Sequence, residues 1–463
     1  MNKLTAKNIY ALVFGLFLGL CIWKFGNPVI LDHKISLPAT PAEFWSFAWP
    51  THWANWILLP LIAMGGFLIF QKNIVWPQSK WLWLLPLGWL GWQFISATHS
   101  VDADLTVSTL WQFSGCVSCY FIGALLFRDQ RMINLLLIGI LAAFTFCLVR
   151  AVNQKIFEFP QNYRVLLEGE KAGWTNFPPE TIAEMKHDNV IVTTNGLDVA
   201  NPVFLKKFEK GRVLGTLVYP NALAGLILLL WPAALAIAFN FTNKLKSPIR
   251  CSVIALTIFL GATVFFWTGS KLGWLIGVVI AGVCLLRLEW PKRFKLAAIV
   301  IILGLGLGVF AIRFHNYFAA GAQSVGARFD YWRAAAQTSK ENPLFGTGPG
   351  TFQRPYANLK SPEAEMARLT HNDYLEQFSD SGIVGGLTYA GWIFLALGTI
   401  GKKIRQNGEM FQFYIFAGLL GWFLQGFGEF SLFIPALAWI TFTLLGHLIG
   451  REINQFDKKP TAG

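Results

Sequence analysis

Long apolar runs separated by short polar segments make up most of this chain. Each run is close to the roughly 20 residues that a helix needs to cross a hydrocarbon core of about 30 Å. The pattern therefore predicts an all-α polytopic membrane protein with about twelve transmembrane helices. These helices are expected at residues 8–25, 53–70, 80–97, 105–127, 132–152, 215–241, 249–268, 271–287, 294–313, 383–400, 410–429 and 431–450.

Two of the polar segments between these helices are long and rich in charged residues, and they divide the chain further. The predicted division is N-terminal helices at 1–152, a long outer loop at 153–214, helices at 215–313, a second long outer loop at 314–382, helices at 383–450 and a tail at 451–463.

Basic residues gather in alternate loops, and this indicates an orientation. With the N-terminus placed in the cytoplasm, 19 Lys and Arg fall on the cytoplasmic side against five Asp and Glu. Cytoplasmic loops of membrane proteins carry such an excess. We therefore expect both termini in the cytoplasm and both long loops on the outer face. The basic residues concerned are Lys3, Lys7, Lys72, Lys80, Arg128, Arg131, Lys244, Lys246, Arg250, Arg287, Lys292, Arg293, Lys295, Lys402, Lys403, Arg405, Arg451, Lys458 and Lys459.

The composition agrees with a membrane protein and disfavours other classes. Hydrophobic residues make up 54% of the chain and charged residues 14%, whereas soluble domains carry about 25% charged residues. The formal net charge of +13 is explained by the cytoplasmic loops. No basic face of a soluble domain remains to bind nucleic acid, so the lipid bilayer is the expected partner.

The string LTHNDYLEQFSDSGIVGGL, residues 369–387, places a polar cluster directly before an apolar run. Thr370 followed by Asp373 fits a capping box, which predicts a helix from there to a stop at Gly382. His371 would take the first helical position, where free N–H groups and the helix dipole bind anions and oppose protonation of the ring. These residues suit a base beside a phosphate, while a solvent-exposed capping turn is the competing interpretation.

An amphipathic helix is predicted upstream, at residues 328–340. Arg328, Tyr331 and Trp332 fall on one of its faces. Arg328 and Arg333 can make bidentate contacts with phosphate, and interfacial anchoring accounts for them equally well.

The loop NPLFGTGPG, residues 342–350, follows this helix and contains closely spaced glycines. A glycine-rich backbone can bring amides close to a phosphate. Here no strand precedes the loop and no helix directly follows it, so an ordinary surface turn is the favoured interpretation.

Two further basic side chains lie at predicted outer boundaries of the membrane. Lys271 follows the short turn TGSK between two predicted helices. A charge there must snorkel or pair with an anion, because moving it to mid-bilayer costs up to about 3 kcal/mol. Arg212 precedes the predicted helix 215–241, which contains Pro220 and Asn221, a pair that predicts a local break with polar backbone lining a cavity.

Acidic residues on the outer face have simpler explanations. Asp102 and Asp104 could hold a divalent metal beside a sugar pyrophosphate, but the first turn of a helix is the favoured place for them. An exposed turn explains Glu429. We therefore predict neither a metal site nor a cofactor.

In combination, Arg328 with Trp332, the glycine loop and the string around His371 resemble the O-antigen ligase and O-antigen polymerase superfamily of bacterial inner membranes. The resemblance covers residues 212–400 and implies a GT-C-like fold. It implies that His371 is the base that activates an acceptor hydroxyl. The residues implied to grip a pyrophosphate are Arg328, Lys271 and Arg212, with support from Asn372, Asp373, Arg333 and Asn221.

This sequence departs from the superfamily at one implied contact. Many members carry Arg after a Thr-x-Ser where this chain has Lys271. The substitution keeps the charge but removes the planar fork that binds phosphate at two points.

The resemblance also implies the substrates and the location. The donor is a glycan linked to undecaprenyl pyrophosphate, and the acceptor is lipid A core, another glycan or a protein. The active site would be periplasmic, and direct displacement would invert the anomeric centre. A polysaccharide polymerase uses the same donor chemistry and stays an alternative. A transporter of lipid-linked glycans is disfavoured, because the predicted spans are nearly free of charges at mid-membrane.

Overall fold

The computed structural model describes residues 5–71, 79–241, 246–287, 290–319, 323–407 and 409–456. Some residues on which the predicted orientation rests lie outside these ranges. They are Lys3, Lys72, Lys244, Glu289, Lys458, Lys459 and residues 457–463 of the predicted tail.

Helices dominate the described part of the chain. In the N-terminal half they are α1 (Ala6–Lys24), α2 (Pro41–Ser46), α3 (Thr51–Phe70), α4 (Trp81–Ala97), α5 (Ala103–Leu125), α6 (Gln130–Asn153), α7 (Phe159–Lys171), α8 (Pro179–His187) and α9 (Pro202–Lys210). In the C-terminal half they are α10 (Pro220–Phe241), α11 (Ser247–Thr268), α12 (Lys271–Leu286), α13 (Lys292–Ala319), α14 (Gln323–Glu341), α15 (Gln353–Leu359), α16 (Asp373–Asn407), α17 (Met410–Gln425) and α18 (Pro435–Phe456).

Each predicted transmembrane segment coincides with one of these helices. Among the described residues, seven helices are long and apolar enough to cross a membrane, and α12 and α17 are shorter apolar helices. The chain therefore has the all-α architecture of a polytopic membrane protein, as predicted. The count of twelve crossings and the orientation stay predictions.

Close packing of small residues holds the centre of the bundle together. α1 packs on α6, and α5 packs on α18. At the first crossing, a Cβ atom on Gly139 would lie 2.5 Å from the carbonyl carbon of Gly15. Helices in lipid gain little from burying apolar surface, so close backbone approach through glycine is a main source of their association.

Several helix ends meet at one end of the bundle, which we call the loop end. The N–H of Val218 donates to the carbonyl of Gly26 at 3.2 Å, and the N–H of Ala436 donates to that of Phe25 at 3.3 Å. α1 thus finishes where α10 and α18 begin. This is the arrangement expected when successive crossings alternate in direction.

The first long segment, predicted as a loop at 153–214, is folded. α6 continues through a π-helical turn, Gln154–Glu158, into α7. The segment is completed by α8, α9 and, between them, an antiparallel hairpin. The hairpin consists of β1 (Ile191–Thr194) and β2 (Leu197–Ala200). A small core of its own includes Leu166 and Trp174. Its elements are short and polar, so the apolar pattern gave no sign of them.

Two predicted turns are confirmed. Only Gly269, with a φ of 59°, and Ser270 separate α11 from α12. The Ser270 hydroxyl caps α12 by accepting a hydrogen bond from the N–H of Gly273 at 3.2 Å. Gly382, with φ 65° and ψ −169°, interrupts the helical backbone of α16 where a stop was predicted.

Candidate active site

A cavity of about 590 Å³ opens at the loop end. Its walls come from the starts of α10 and α12, the end of α13, the first half of α14, and the segments before α16 and after α17. Five of the predicted site residues line it together. They are Arg212, Asn221, Lys271, Arg328 and His371.

His371 lies just before the cap of α16 rather than in its first turn. The cap is Asn372, whose Oδ1 accepts from the N–H groups of Tyr374 at 3.1 Å and Leu375 at 3.0 Å. The prediction that Thr370 caps this helix is therefore wrong, because a nearer amide already satisfies these donors. His371 has a φ of 53°, a left-handed conformation that is uncommon outside glycine.

The buried carboxyl group of Glu376 holds the backbone on which His371 sits. The N–H and the hydroxyl of Thr370 both lie 2.7 Å from Oε2 of Glu376. Both side chains are fully buried. Because Thr370 is fixed at two points, His371, the next residue, has little freedom to leave its left-handed conformation.

Glu429 lies at the centre of the cavity wall, and its side chain is fully buried. Its Oε1 accepts from Arg328 at 2.5 Å and from Asn221 at 2.7 Å. Its Oε2 accepts from Tyr219 at 3.0 Å and lies 3.4 Å from Nδ1 of His371. The interpretation of Glu429 as part of an exposed turn is therefore wrong.

The burial of Glu429 follows from the way its turn is tied to α16. The N–H of Asp373 donates to the carbonyl of Gly426 at 2.7 Å. The carboxylate of Asp373 accepts from the N–H of Leu432 at 3.3 Å. These bonds draw both ends of the turn onto the start of α16, so Glu429 between them faces inward.

The partners of Glu429 outweigh the effect of its burial. Burial alone raises the pKa of a carboxyl group, but hydrogen bonds from His371 and Tyr219 and the charge of Arg328 lower the pKa of Glu429 below its ordinary value. Glu429 is thus an anion at neutral pH. Burial and this carboxylate together raise the pKa of Tyr219 well above its ordinary value, so the phenol stays a hydrogen-bond donor.

The ring of His371 is held in one orientation. Tyr331 stacks on it with ring centroids 5.9 Å apart, and Phe430 meets it edge-on at 4.7 Å. Its Nδ1 faces Glu429, and within the described ranges its Nε2 has no hydrogen-bond partner. A carboxylate beside one ring nitrogen favours the tautomer in which the other nitrogen carries the lone pair.

Two cations of the cavity keep their charge available to a ligand. Arg212 donates to the carbonyl of Thr268 at 2.7 Å and to Oδ1 of Asn221 at 2.8 Å, and both partners are neutral. The Nζ of Lys271 lies 3.8 Å from the ring centroid of Tyr317. No carboxylate in the described part of the chain forms an ion pair with either residue. An anion that enters the cavity can therefore pair with both.

Comparison with known proteins assigns the middle of the chain to a family. Residues 256–390 match the sequence profile of the family described as O-Antigen ligase. This segment belongs to the O-antigen ligase superfamily. The resemblance drawn from the motifs is confirmed there.

A protein of Haemophilus influenzae described as uncharacterized is also similar to this chain. The two are 29% identical over 143 residues, which cover 26% of this chain and 35% of that protein. The match thus spans about a third of that relative's length.

The O-antigen ligase segment contributes only part of the cavity. Lys271, Arg328 and His371 lie within the matched residues, whereas Arg212 and Glu429 lie outside them. The cavity is therefore completed by residues on both sides of the segment.

Three residues predicted to support pyrophosphate binding do not line this cavity. Asn372 and Asp373 are buried and act in the helix cap and in the turn that carries Glu429. Arg333 is exposed and pairs with Asp330 at 3.2 Å. It lies on the solvent side of α14, opposite the face of Arg328.

The glycine loop of the ligase segment binds a carboxylate of the chain itself. The N–H of Gly350 donates to Oδ2 of Asp380 at 2.7 Å, and residues 346–350 are buried. The favoured interpretation as a surface turn is wrong. The alternative phosphate cradle is excluded for this amide, because Asp380 already occupies it.

The cap interpretation of the Asp102 and Asp104 pair is confirmed for Asp102. Its Oδ1 accepts from the N–H of Leu105 at the start of α5 at 3.2 Å, and its Oδ2 binds Arg354 at 2.6 Å. No group of three or more His, Cys, Asp or Glu that could hold a metal occurs among the described residues.

Glu429 and Tyr219 are the residues of the candidate site that the sequence did not predict. The signal for Glu429 is a lone acid in the apolar string GFGEFSLF, where an ionisable residue at a membrane boundary needs a partner. Tyr219 directly precedes the Pro-Asn pair already singled out, but a single Tyr beside a membrane helix has no distinguishing pattern.

Proposed function

We propose that this chain is a glycosyltransferase that moves a glycan from undecaprenyl pyrophosphate to an acceptor hydroxyl on the periplasmic face of the bacterial inner membrane. The observation that carries the proposal is the position of His371. It shares one cavity with Arg212, Lys271 and Arg328, and its Nδ1 faces the buried carboxylate of Glu429. Transfer of a sugar from a pyrophosphate needs such a base and such cations.

In the proposed reaction, the oxygen of the acceptor hydroxyl attacks the anomeric carbon of the donor. The new C–O bond forms while the bond between that carbon and the pyrophosphate oxygen breaks. The electron pair leaves with undecaprenyl pyrophosphate, and the anomeric centre is inverted. Nε2 of His371 takes the hydroxyl proton, which a positioned base makes about 10²–10⁴-fold faster.

Glu429 is proposed to act through His371 rather than on the substrate. Its carboxylate accepts from Nδ1 and stabilises the imidazolium that forms when Nε2 takes the proton. Since Arg328 and Tyr219 hold the same carboxylate, the base does not depend on a single flexible contact for its orientation.

Arg212 and Lys271 are proposed to bind the pyrophosphate and to balance the charge that grows on it as the glycosidic bond breaks. Pyrophosphate leaves without a proton, so fixed positive charge is the main requirement. Arg328 adds N–H donors not used by Glu429. Asn221 keeps the guanidinium of Arg212 directed into the cavity.

The test is glycan transfer by the purified full chain in nanodiscs. Undecaprenyl-pyrophosphate glycan is the donor, and lipid A core, a second molecule of donor and a protein are the acceptors. Wild type is compared with His371→Ala at matched folding. The proposal expects transfer to one acceptor by wild type and none by the variant, and the accepted molecule separates a ligase from a polymerase. Equal transfer by both proteins would contradict it.

A further inference from the structure

A second cavity, of about 610 Å³, opens at the loop end. It is lined by the 3-10 turn Val29–Lys34, the first turn of α5, the first turn of α15 and Arg368. Arg368 is separated from His371 by two residues, so their Cα atoms lie within about 11 Å. The second cavity thus borders the segment that carries the proposed base.

Part of the wall of this cavity is rigid. Asp32 accepts from the hydroxyl of Thr51 and from Nδ1 of His52, each at 2.7 Å. Asp102 caps α5 and binds Arg354. These bonds tie the turn after α1 to α3, and α15 to α5, so the cavity does not depend on one mobile loop.

Other polar side chains of the cavity have no partner of their own. Lys34, Asp104, Gln353 and Arg368 line it, and within the described ranges none makes a side-chain hydrogen bond or ion pair. Cations, a carboxylate and an amide are thus free at one place, beside the apolar side chains of Val29, Ile30 and Leu105.

The charged side chains of the second cavity differ from those of the first cavity. Three Asp face three Lys or Arg, so the formal charges cancel, and the cavity has no general preference for an anion. Neighbouring hydroxyls of a sugar both donate and accept, so a carboxylate and a guanidinium can each bind them. Apolar side chains can cover the C–H surface of a pyranose ring.

We propose that the second cavity binds uncharged sugar residues of the acceptor glycan. The inference rests on the proposed function, because it assigns the second of the two substrates that the transfer needs. The first cavity, which contains Arg212, Lys271 and Arg328, takes the pyrophosphate of the donor. The second cavity takes the hydroxyl-rich acceptor glycan. The bonds between Thr370 and Glu376 keep the segment between the two cavities in a fixed conformation.

The test measures the steady-state kinetics of the full chain in nanodiscs with two sugar acceptors, lipid A core and a second molecule of donor. The variants are Arg368→Gln and Asp104→Asn, which remove charge from different elements with little change in size. Arg164→Gln, exposed on α7 and outside both cavities, is the matched control. Thermal unfolding of each variant checks that it folds.

The proposal expects the KM for the acceptor to rise about tenfold in each cavity variant, since hydrogen bonds to charged groups are lost. The KM for the donor and the rate at saturating acceptor stay as in wild type and in Arg164→Gln. Transfer with an unchanged acceptor KM would overturn the inference and leave the proposed function intact. An altered donor KM instead would assign the cavity to the donor glycan. Wild-type transfer to a protein only would also overturn the inference, and no transfer to any acceptor would contradict the proposed function itself.

Discussion

The fully buried carboxylate of Glu429 accepts a hydrogen bond from Arg328 at 2.5 Å. Arg328 lies on α14, and Glu429 lies in the turn between α17 and α18. The pair therefore ties the second long segment to the end of the bundle, and Nδ1 of His371 lies 3.4 Å from the same carboxylate. A buried ion pair is not by itself a strong source of stability, but removing one partner leaves an uncompensated charge.

Glu429→Gln is expected to destabilise the protein by about 3–5 kcal/mol, because Arg328 then keeps its charge without its carboxylate. Thermal unfolding in nanodiscs measures the change. Asp330→Asn is the control, since it breaks the exposed pair of Asp330 with Arg333 and should leave the melting temperature unchanged. Equal melting temperatures for all three proteins would show that the buried pair is unimportant for the fold.

The same carboxylate predicts a dependence of stability on pH. The pKa of Glu429 in the folded protein lies below the ordinary value of 4.5, so the unfolded chain binds the proton more tightly. Its stabilising contribution is complete above that value and is lost as the pH falls through the lower pKa of the folded state. Wild type should therefore lose more stability than Glu429→Gln between neutral pH and about pH 3.5. Parallel curves for the two proteins would mean that Glu429 is not ionised.

Lys271 is expected to contribute to the affinity for the donor. Lys271→Met removes a cation with no carboxylate partner in the described part of the chain and should weaken binding of undecaprenyl pyrophosphate by about 10- to 100-fold. Lys271→Arg keeps the charge but changes the shape of the donor group, so it should weaken binding less than Lys271→Met does. Arg333→Gln, outside the cavity, should bind as wild type does. Unchanged binding by Lys271→Met would remove this residue from the pyrophosphate site.

Glu376 is expected to act as a positioning residue. Glu376→Ala leaves the N–H and hydroxyl of buried Thr370 without an acceptor, at about 1–3 kcal/mol for each. The rate of transfer should fall while donor affinity stays unchanged, because His371 loses its fixed backbone. Glu376→Gln keeps an acceptor oxygen and should restore most of the rate. If the glutamine variant were as slow as the alanine variant, the charge of Glu376 rather than its hydrogen bonds would be responsible.

The helices and the site differ in how much of them the sequence predicts. Apolar runs and turns such as Gly269–Ser270 are local signals, so each long apolar run predicted a helix that the structure contains, and the hairpin of α11 and α12 was located closely. Arg212 and His371, which line the cavity, could be singled out as candidates because each stands out in its own motif. Glu429 and the glycine loop were misjudged because their partners, Arg328 and Asp380, lie far away in sequence. Only tertiary packing brings such groups together.

The small module at residues 159–210 was missed for another reason. Its core is built around Trp174 from short amphipathic helices and one hairpin, and none of these has an apolar run long enough to be recognised. The π-helical turn before it forms where Gln154 binds the N–H of Gly215 at 2.8 Å, a tertiary contact that no local pattern encodes.

The central claim is that His371 takes the proton of the acceptor hydroxyl. The most direct test is the single-turnover rate of glycan transfer by His371→Gln, measured with the affinity for undecaprenyl pyrophosphate on the same protein in nanodiscs. The account predicts that the rate falls by about 10²–10⁴-fold while donor affinity stays close to that of wild type. A variant that transfers glycan at the wild-type rate would contradict the account.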